Sequence, residues 1–200
     1  MAAKRAQMME ETRAKLIASA RRAFAEKGYA GTSMDDLTAD VGLTRGALYH
    51  NFGDKRGLLA AVVEQVDGEM AAAAMAHAER RGGSDWEKLL AEGTAYIEAA
   101  MDPEIRRIVL LDGPAVLGDP SQWPSQNKCL AATMRSLKSL ADQGAIKPVA
   151  IEAAARLLNG AALNAALWVA ASDAPDQVLK DAVAAFEQLA SGFLIDANVG

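Results

Sequence analysis

The 200-residue sequence is poor in the groups that catalytic centres are usually built from, with one cysteine, Cys129, and two histidines, His50 and His77. A single cysteine cannot close an intrachain disulfide, and no second Cys or Cys/His cluster stands near it in the chain to complete a zinc site. A Ser/His/Asp triad would have to run through His77, which has no nucleophile-elbow sequence to accompany it. Neither GxGxxG nor GxxxxGK[ST] occurs, so no glycine-rich phosphate cradle is present. The expectation is a protein that is not an enzyme and carries no metal and no cofactor. Long apolar runs are missing too. Hydrophobic residues make up 51% of the chain, yet no run reaches the roughly 18–20 residues that span a bilayer. The start, MAAKRAQMMEETRAK, is charged throughout and lacks the apolar stretch of a secretory signal. No membrane partner and a reducing, cytoplasmic setting follow as expectations.

Aromatics are 5% of the chain and β-branched runs are short, so apolar spacing is tested first against the helical period. It fits nearly everywhere. Leu16, Ile17, Ala20 and Phe24 recur at steps of three and four and predict a helix over 14–27, with Gly28 as its stop. Thr32 or Ser33 caps a second, short helix with Leu37 and Val41, ended by Gly42. Thr44 caps a third to about Asn51, with Leu48 and Phe52 inward, and Asp54 a fourth running to Gly82-Gly83. Ser84 and Glu87 spell a capping box that opens a helix to about Met101. Asp102-Pro103 starts another, and Gly113-Pro114 and Gly118-Asp119-Pro120 break the chain after it. Three longer helices are predicted at about 121–142, 149–171 and 175–196. The class is all-α. Charge divides unevenly along this series: residues 1–60 hold ten Lys/Arg and seven Asp/Glu, a net of +3, which leaves a net of −8 for residues 61–200. A basic segment on an acidic remainder permits contact with a polyanion at one end.

The segment from Leu37 to Leu59 carries the most information. A helix of about eight residues, a tight turn on Gly42-Leu43-Thr44 and a second short helix form a helix-turn-helix. Its second helix would present Arg45, Gly46, Ala47, Tyr49 and His50 outward. Arg45 can donate two hydrogen bonds to the major-groove edge of guanine, Gly46 and Ala47 allow close approach, and Tyr49 and His50 can donate to phosphates. Lys55 lies in the first turn of the fourth helix, where the helix dipole disfavours a cation, and a compensating phosphate would explain it. Ser33 and Thr44, as caps, complete the expected DNA-binding set. Gly42-Leu43-Thr44-Arg45-Gly46-Ala47-Leu48-Tyr49-His50-Asn51-Phe52-Gly53-Asp54-Lys55-Arg56-Gly57-Leu58-Leu59 resembles the signature of the TetR family of bacterial transcriptional regulators. The similar stretches Phe24–Tyr29 and Thr32–Leu37 precede it, and the resemblance covers about residues 10–62. Asn51 departs from the histidine or tyrosine of many relatives. The resemblance implies a homodimer with an N-terminal three-helix head, here 1–54, joined to a helical effector-binding and dimerisation body, here 55–200. It implies operator DNA and an unidentified small molecule as partners.

In the body, Tyr96, Met101, Leu111, Trp123, Met134 and Trp168, with Asn164 as an isolated polar group, could line a cavity for an apolar or amphipathic ligand. The last two helices carry a small-residue face with Ala161 and Ala165 and an apolar stripe of Val178, Ala182, Phe186, Leu189 and Phe193. A second copy would bury them in a four-helix bundle. The resulting reading is a DNA-binding regulator, a repressor released from its operator by ligand. Its alternatives are a constitutive DNA-binding protein with a filled body and an all-helical enzyme dependent on His77.

Overall fold

The structure is a computed structural model that describes residues 2–195. Its helices are α1 (Ala2–Gly31), α2 (Met34–Ala39), α3 (Arg45–Phe52), α4 (Lys55–Arg81), α5 (Asp85–Glu98), α6 (Pro103–Ile105), α7 (Gly113–Leu117), α8 (Pro124–Asp142), α9 (Ile151–Ala171) and α10 (Pro175–Ser191). A π-helical stretch, Arg106–Asp112, joins α6 to α7. No strand is present among the described residues; the only pairing of that kind is an isolated antiparallel bridge between Ile146 and Leu194.

Caps form where the side-chain chemistry calls for them. Ser33 accepts from the Asp36 amide at 3.1 Å, Thr44 from the Ala47 amide at 3.2 Å and Asp54 from the Gly57 amide at 2.7 Å. Ser84 and Glu87 close the full capping box. Three expectations need correction. The first helix begins at Ala2, well before residue 14, although Gly28 does break its geometry, at φ 71 and ψ 169, where the sequence places its stop, and a short helical stretch follows to Gly31. The segment after Pro103 is π-helical for seven residues, a winding that apolar spacing over so short a stretch does not distinguish from α. The last helix ends at Ser191, and residue 196, its expected end, lies outside the described residues.

The chain forms two compact units, Met1–Asp67 with Pro103–Pro120, and Gly68–Asp102 with Ser121–Gly200. The expected boundary at 54/55 falls inside the first of them. In that unit Leu16, Ala20, Phe24, Leu37, Leu48, Leu58 and Ile108 are completely or almost completely buried. Burying one such side chain stabilises by roughly 1.5–3 kcal/mol, so α1 to α3 share one small core with the start of α4 and the π-helical stretch. Polar ties fix that stretch in place. Arg21 grips Glu104 through two hydrogen bonds of 2.8 and 2.7 Å, and Asp112 accepts from the Tyr29 amide at 2.7 Å. Arg56 donates to the carbonyls of Val116 and Leu117.

In the second unit α5, α8, α9 and α10 pack around Leu89, Ile97, Leu137, Leu140, Leu158 and Phe186, and Ala71 and Ala74 of α4 line a cavity among them. Alanines 154, 155, 162, 166 and 170 are buried along α9, and residues this small let helix axes approach closely.

Candidate functional site

The α2–α3 pair is built as a helix-turn-helix from the inside out. Leu37 and Leu48 are buried, which fixes the roll of both helices and leaves the opposite side of α3 in solvent. Gly42 makes the turn at φ +64, a left-handed conformation that a side chain other than glycine adopts at a cost. The outward set is then Arg45, Gly46, Tyr49 and His50, all exposed, with Ala47 half-buried beside them. Asn51 turns inward along its own helix and donates to the Ala47 carbonyl at 2.8 Å. Arg13 covers the Phe52 ring, 4.6 Å from its centroid.

Arg45 is engaged. Its Nε and Nη2 donate to the two carboxylate oxygens of Asp35 in the first turn of α2. This pairing holds the Asp35 carboxyl below the usual carboxylate range and the guanidinium above its own. An arginine held through one edge keeps its remaining N–H groups free to donate elsewhere. Lys55 sits differently from what its sequence position suggests. Its ammonium lies over the Tyr29 ring, 4.2 Å from the centroid; burial pushes its pKa down and the nearby Asp112 pulls it up. The unfavourable helix-dipole position is thus compensated from within by the ring and the carboxylate, and a phosphate is not needed to account for it.

The second unit contains a cavity of about 50 Å³ whose apolar wall includes Leu89, Leu90, Leu158 and Phe186. Its polar groups are Glu92, Tyr96, Gln126, Cys129, Thr133 and Asn159. Gln126 donates to the Tyr96 hydroxyl at 3.2 Å, and Thr133 donates to Asn159 Oδ1 at 2.8 Å. The other end of the Asn159 amide is buried without a partner.

Comparison with known proteins bears on both units. Residues 16–62 match the family model described as bacterial regulatory proteins, tetR family, and residues 86–193 the one described as Tetracyclin repressor-like, C-terminal domain. A TetR-family transcriptional regulator from Pectobacterium atrosepticum, known as a crystal structure, is 47% identical, with 96% of this chain and 98% of that one covered and a TM-score of 0.87. The chain belongs to the TetR family. That family consists of DNA-binding transcriptional regulators, so the helix-turn-helix belongs to its DNA-binding class. Among curated relatives, the HTH-type transcriptional repressor AcnR of Corynebacterium glutamicum is 40% identical over 60 residues, which is 30% of this chain and 32% of that protein. The HTH-type transcriptional regulator TtgR of Pseudomonas putida is 40% identical over 57 residues, 28% of this chain and 27% of that one. The matches therefore span about a third or less of the length of these relatives.

Against the TetR frame, the residues expected to line a ligand site divide. Tyr96 lines the cavity; the others do not. Trp123 is buried at the N-cap of α8 and Met134 is half-buried on the same helix. Met101 and Trp168 are exposed, Trp168 at 53%. Leu111 belongs to the π-helical stretch of the other unit. Asn164 points to solvent, and Asn159, five residues earlier, is the amide at the cavity. Five residues separate neighbours on α9 by more than a full turn, so the periodicity of that helix discriminates between them only once the buried face is known. The expected dimer residues divide as well. Ala182 and Phe186 are buried within the protomer, and Phe186 forms cavity wall. Ala161, Ala165 and Val178 are half-buried. Phe193 lies beyond α10, its carbonyl accepting from the Lys147 amide at 2.8 Å. Leu189 is exposed at 55%, as is Leu157 at 67%, which sequence reasoning passed over. Glu92 was missed too; its signal is the spacing Leu89, Glu92, Gly93, Tyr96, which puts a carboxylate and a glycine on the inward side of α5.

Proposed function

We propose that the chain is a sequence-specific repressor that binds operator DNA as a homodimer and is released when a small molecule occupies the helical body. The observation that carries the reading is the outward side of α3, where Arg45, Gly46, Tyr49 and His50 stand exposed while Leu48 anchors the helix to the core. Arg45 reads a guanine, Tyr49 and His50 bind phosphates, Ser33 and Thr44 hold the helix ends at the backbone, and Gly46 and Ala47 keep the approach close. Lys55 orders the junction of α1 and α4 through Tyr29 and is a phosphate contact only if it leaves that ring.

A second copy supplies the symmetry that two half-sites need. Exposed Leu157 and Trp168 on α9 and Leu189 on α10, with Gly160 and Ala161 between them in sequence, offer an apolar face that monomers seldom leave in water. The protein works in the cytoplasm and has no catalytic step.

Selection of bound sequences from random duplex DNA tests the reading. The expected product is a palindrome whose half-site centres lie about 34–36 Å apart or a multiple of it. Log affinity falls linearly with log salt at a slope set by several phosphates. Equal affinity for the selected site and for random DNA at about physiological salt refutes it.

A further inference from the structure

Glu92 is the one acidic group on the wall of the α5–α8–α9–α10 cavity, and it is half-buried. No described residue forms an ion pair or hydrogen bond with it. Burial alone accounts for its perturbation, which raises its pKa; no cation lowers it. Around it stand Leu89, Leu90, Leu158 and Phe186, which cannot solvate a charge. A carboxylate that gives up water without gaining a partner costs free energy in the fold, and a partner brought by a ligand recovers that cost.

The surroundings narrow the class of ligand. Glu92 and Leu89 also border an adjoining cleft of about 340 Å³ that contains Glu79, Asp85, Lys88, Arg135 and Ser136. Both cations there leave Glu92 alone: the Lys88 ammonium donates to Glu79 at 2.9 Å, and Arg135 forms no ion pair with Glu92. The remaining polar groups at the cavity are uncharged, and one end of the Asn159 amide is free to hydrogen-bond. An anion would face Glu92 across an apolar wall. A neutral donor could hydrogen-bond the carboxylate but would leave its charge uncompensated. A cavity of about 50 Å³ holds a compact group, and the adjoining cleft gives a longer body room to continue.

From these observations we infer that the cavity takes an organic cation, a protonated amine or amidine on an apolar body, with Glu92 as counter-ion and Asn159 as a second polar contact. The inference rests on the reading of the body as an effector site, and it specifies the charge of what binds there.

Calorimetric titration of the whole protein with phenethylamine, 2-phenylethanol and 3-phenylpropionate tests it. The three share a phenyl body and differ in charge. The amine is expected to bind at least about tenfold more tightly than the alcohol, the value of one charge-assisted hydrogen bond, and the carboxylate most weakly. Glu92→Gln should abolish the advantage of the amine while leaving the alcohol unchanged, and Arg135→Gln should preserve the order. A cooperative melt of Glu92→Gln confirms that it folds. The inference is overturned if the alcohol or carboxylate matches the amine, if Glu92→Gln keeps the preference, or if no amine binds at millimolar concentration. The titration contains no DNA, so its failure is separate from failure of the operator selection. Amine binding that leaves operator affinity unmoved counts against the release mechanism and leaves the cation site standing.

Discussion

Gly93 is a small residue in the middle of α5, and the structure gives it a specific task. A Cβ built there would stand 2.4 Å from Cζ and 2.6 Å from Cε1 of Phe186, where ordinary contact begins at 3.4 Å. In Gly93→Ala the ring must therefore withdraw by about 1 Å, since repulsion rises steeply below contact distance. Phe186 is only 7% exposed, and the open space beside it is the cavity it lines. Overpacking of this kind costs about 1–3 kcal/mol, while alanine in place of glycine inside a helix returns about 1 kcal/mol. The net expectation is between no change and a loss of about 2 kcal/mol, with the ring displaced into the cavity. Urea unfolding followed by circular dichroism reads the stability, and titration with phenethylamine reads the cavity, where affinity should fall by about tenfold or more. Affinity for the selected operator in the absence of ligand should remain unchanged, because the head does not contain either residue. A variant about 1 kcal/mol more stable than the parent, with full amine affinity, would show that the ring does not rest on Gly93 and would refute the reasoning.

Arg45→Ala should lower the preference for one base pair in each half-site by about one to two orders of magnitude, measured by competition between the selected site and singly substituted sites; an unchanged consensus contradicts base reading. Asp35→Ala should relax the same base pair while strengthening binding to all sequences, since it frees the guanidinium and removes a carboxylate from beside the phosphates. Uniformly weaker binding with intact preference would mean that Asp35 does not orient Arg45. Leu157→Glu with Trp168→Glu should give folded monomers by sedimentation velocity, and a persisting dimer excludes that face of α9. Phe186→Glu, by contrast, should abolish the cooperative melt, because it places a charge in the protomer core. Glu92→Gln should be the more stable protein at neutral pH, and its advantage should disappear in acid. The carboxyl pKa is raised in the fold, so the parent loses stability as pH rises from about 4.3, the unfolded value, through the folded one, and glutamine does not titrate. Denaturation midpoints across that range check it, and a constant difference at all pH values rejects the burial of Glu92.

What the sequence made legible was whatever depended on neighbours in the chain. Caps are local chemistry, so Ser33, Thr44, Asp54 and the Ser84–Glu87 box were readable one helix at a time, and the helix-turn-helix followed from them. The residues of α3 could be sorted because Leu48 and Phe52, four residues apart, mark one side of the helix and Arg45, Tyr49 and His50 the others. In α9 that logic failed. Ala154, Ala155, Leu158, Ala162 and Ala166 are buried, yet Leu157 and Trp168 are apolar and exposed, so hydrophobicity points two ways at once and the polar Asn159 and Asn164 cannot be assigned to sides. A helix that faces a core on one side and an apolar partner on the other has this ambiguity built in. Lys55 shows a different limit. Its chemical oddness at a helix start was visible, but the compensating Tyr29 ring and Asp112 lie 26 and 57 residues away in the chain, beyond any local pattern.

α4, running from Lys55 to Arg81, links the two compact units and does not link them alone. The chain in fact passes between its two compact units three times, within α4 at 67/68 and again at 102/103 and 120/121. Asp102-Pro103 and Gly118-Asp119-Pro120, which read as simple helix punctuation, stand at the second and third of these crossings. Between them, residues 103–120 are bound to the head by Glu104 on Arg21, by Asp112 on the Tyr29 amide and by the carbonyls of Val116 and Leu117 on Arg56. Each tie reaches a helix of the head, α1 twice and α4 once. The middle of the segment is π-helical, a rare winding that is frequent at functional sites. The segment is thus tied to α1 as well as to α4, and α1 carries the core residues Leu16, Ala20 and Phe24 on which α2 and α3 are seated.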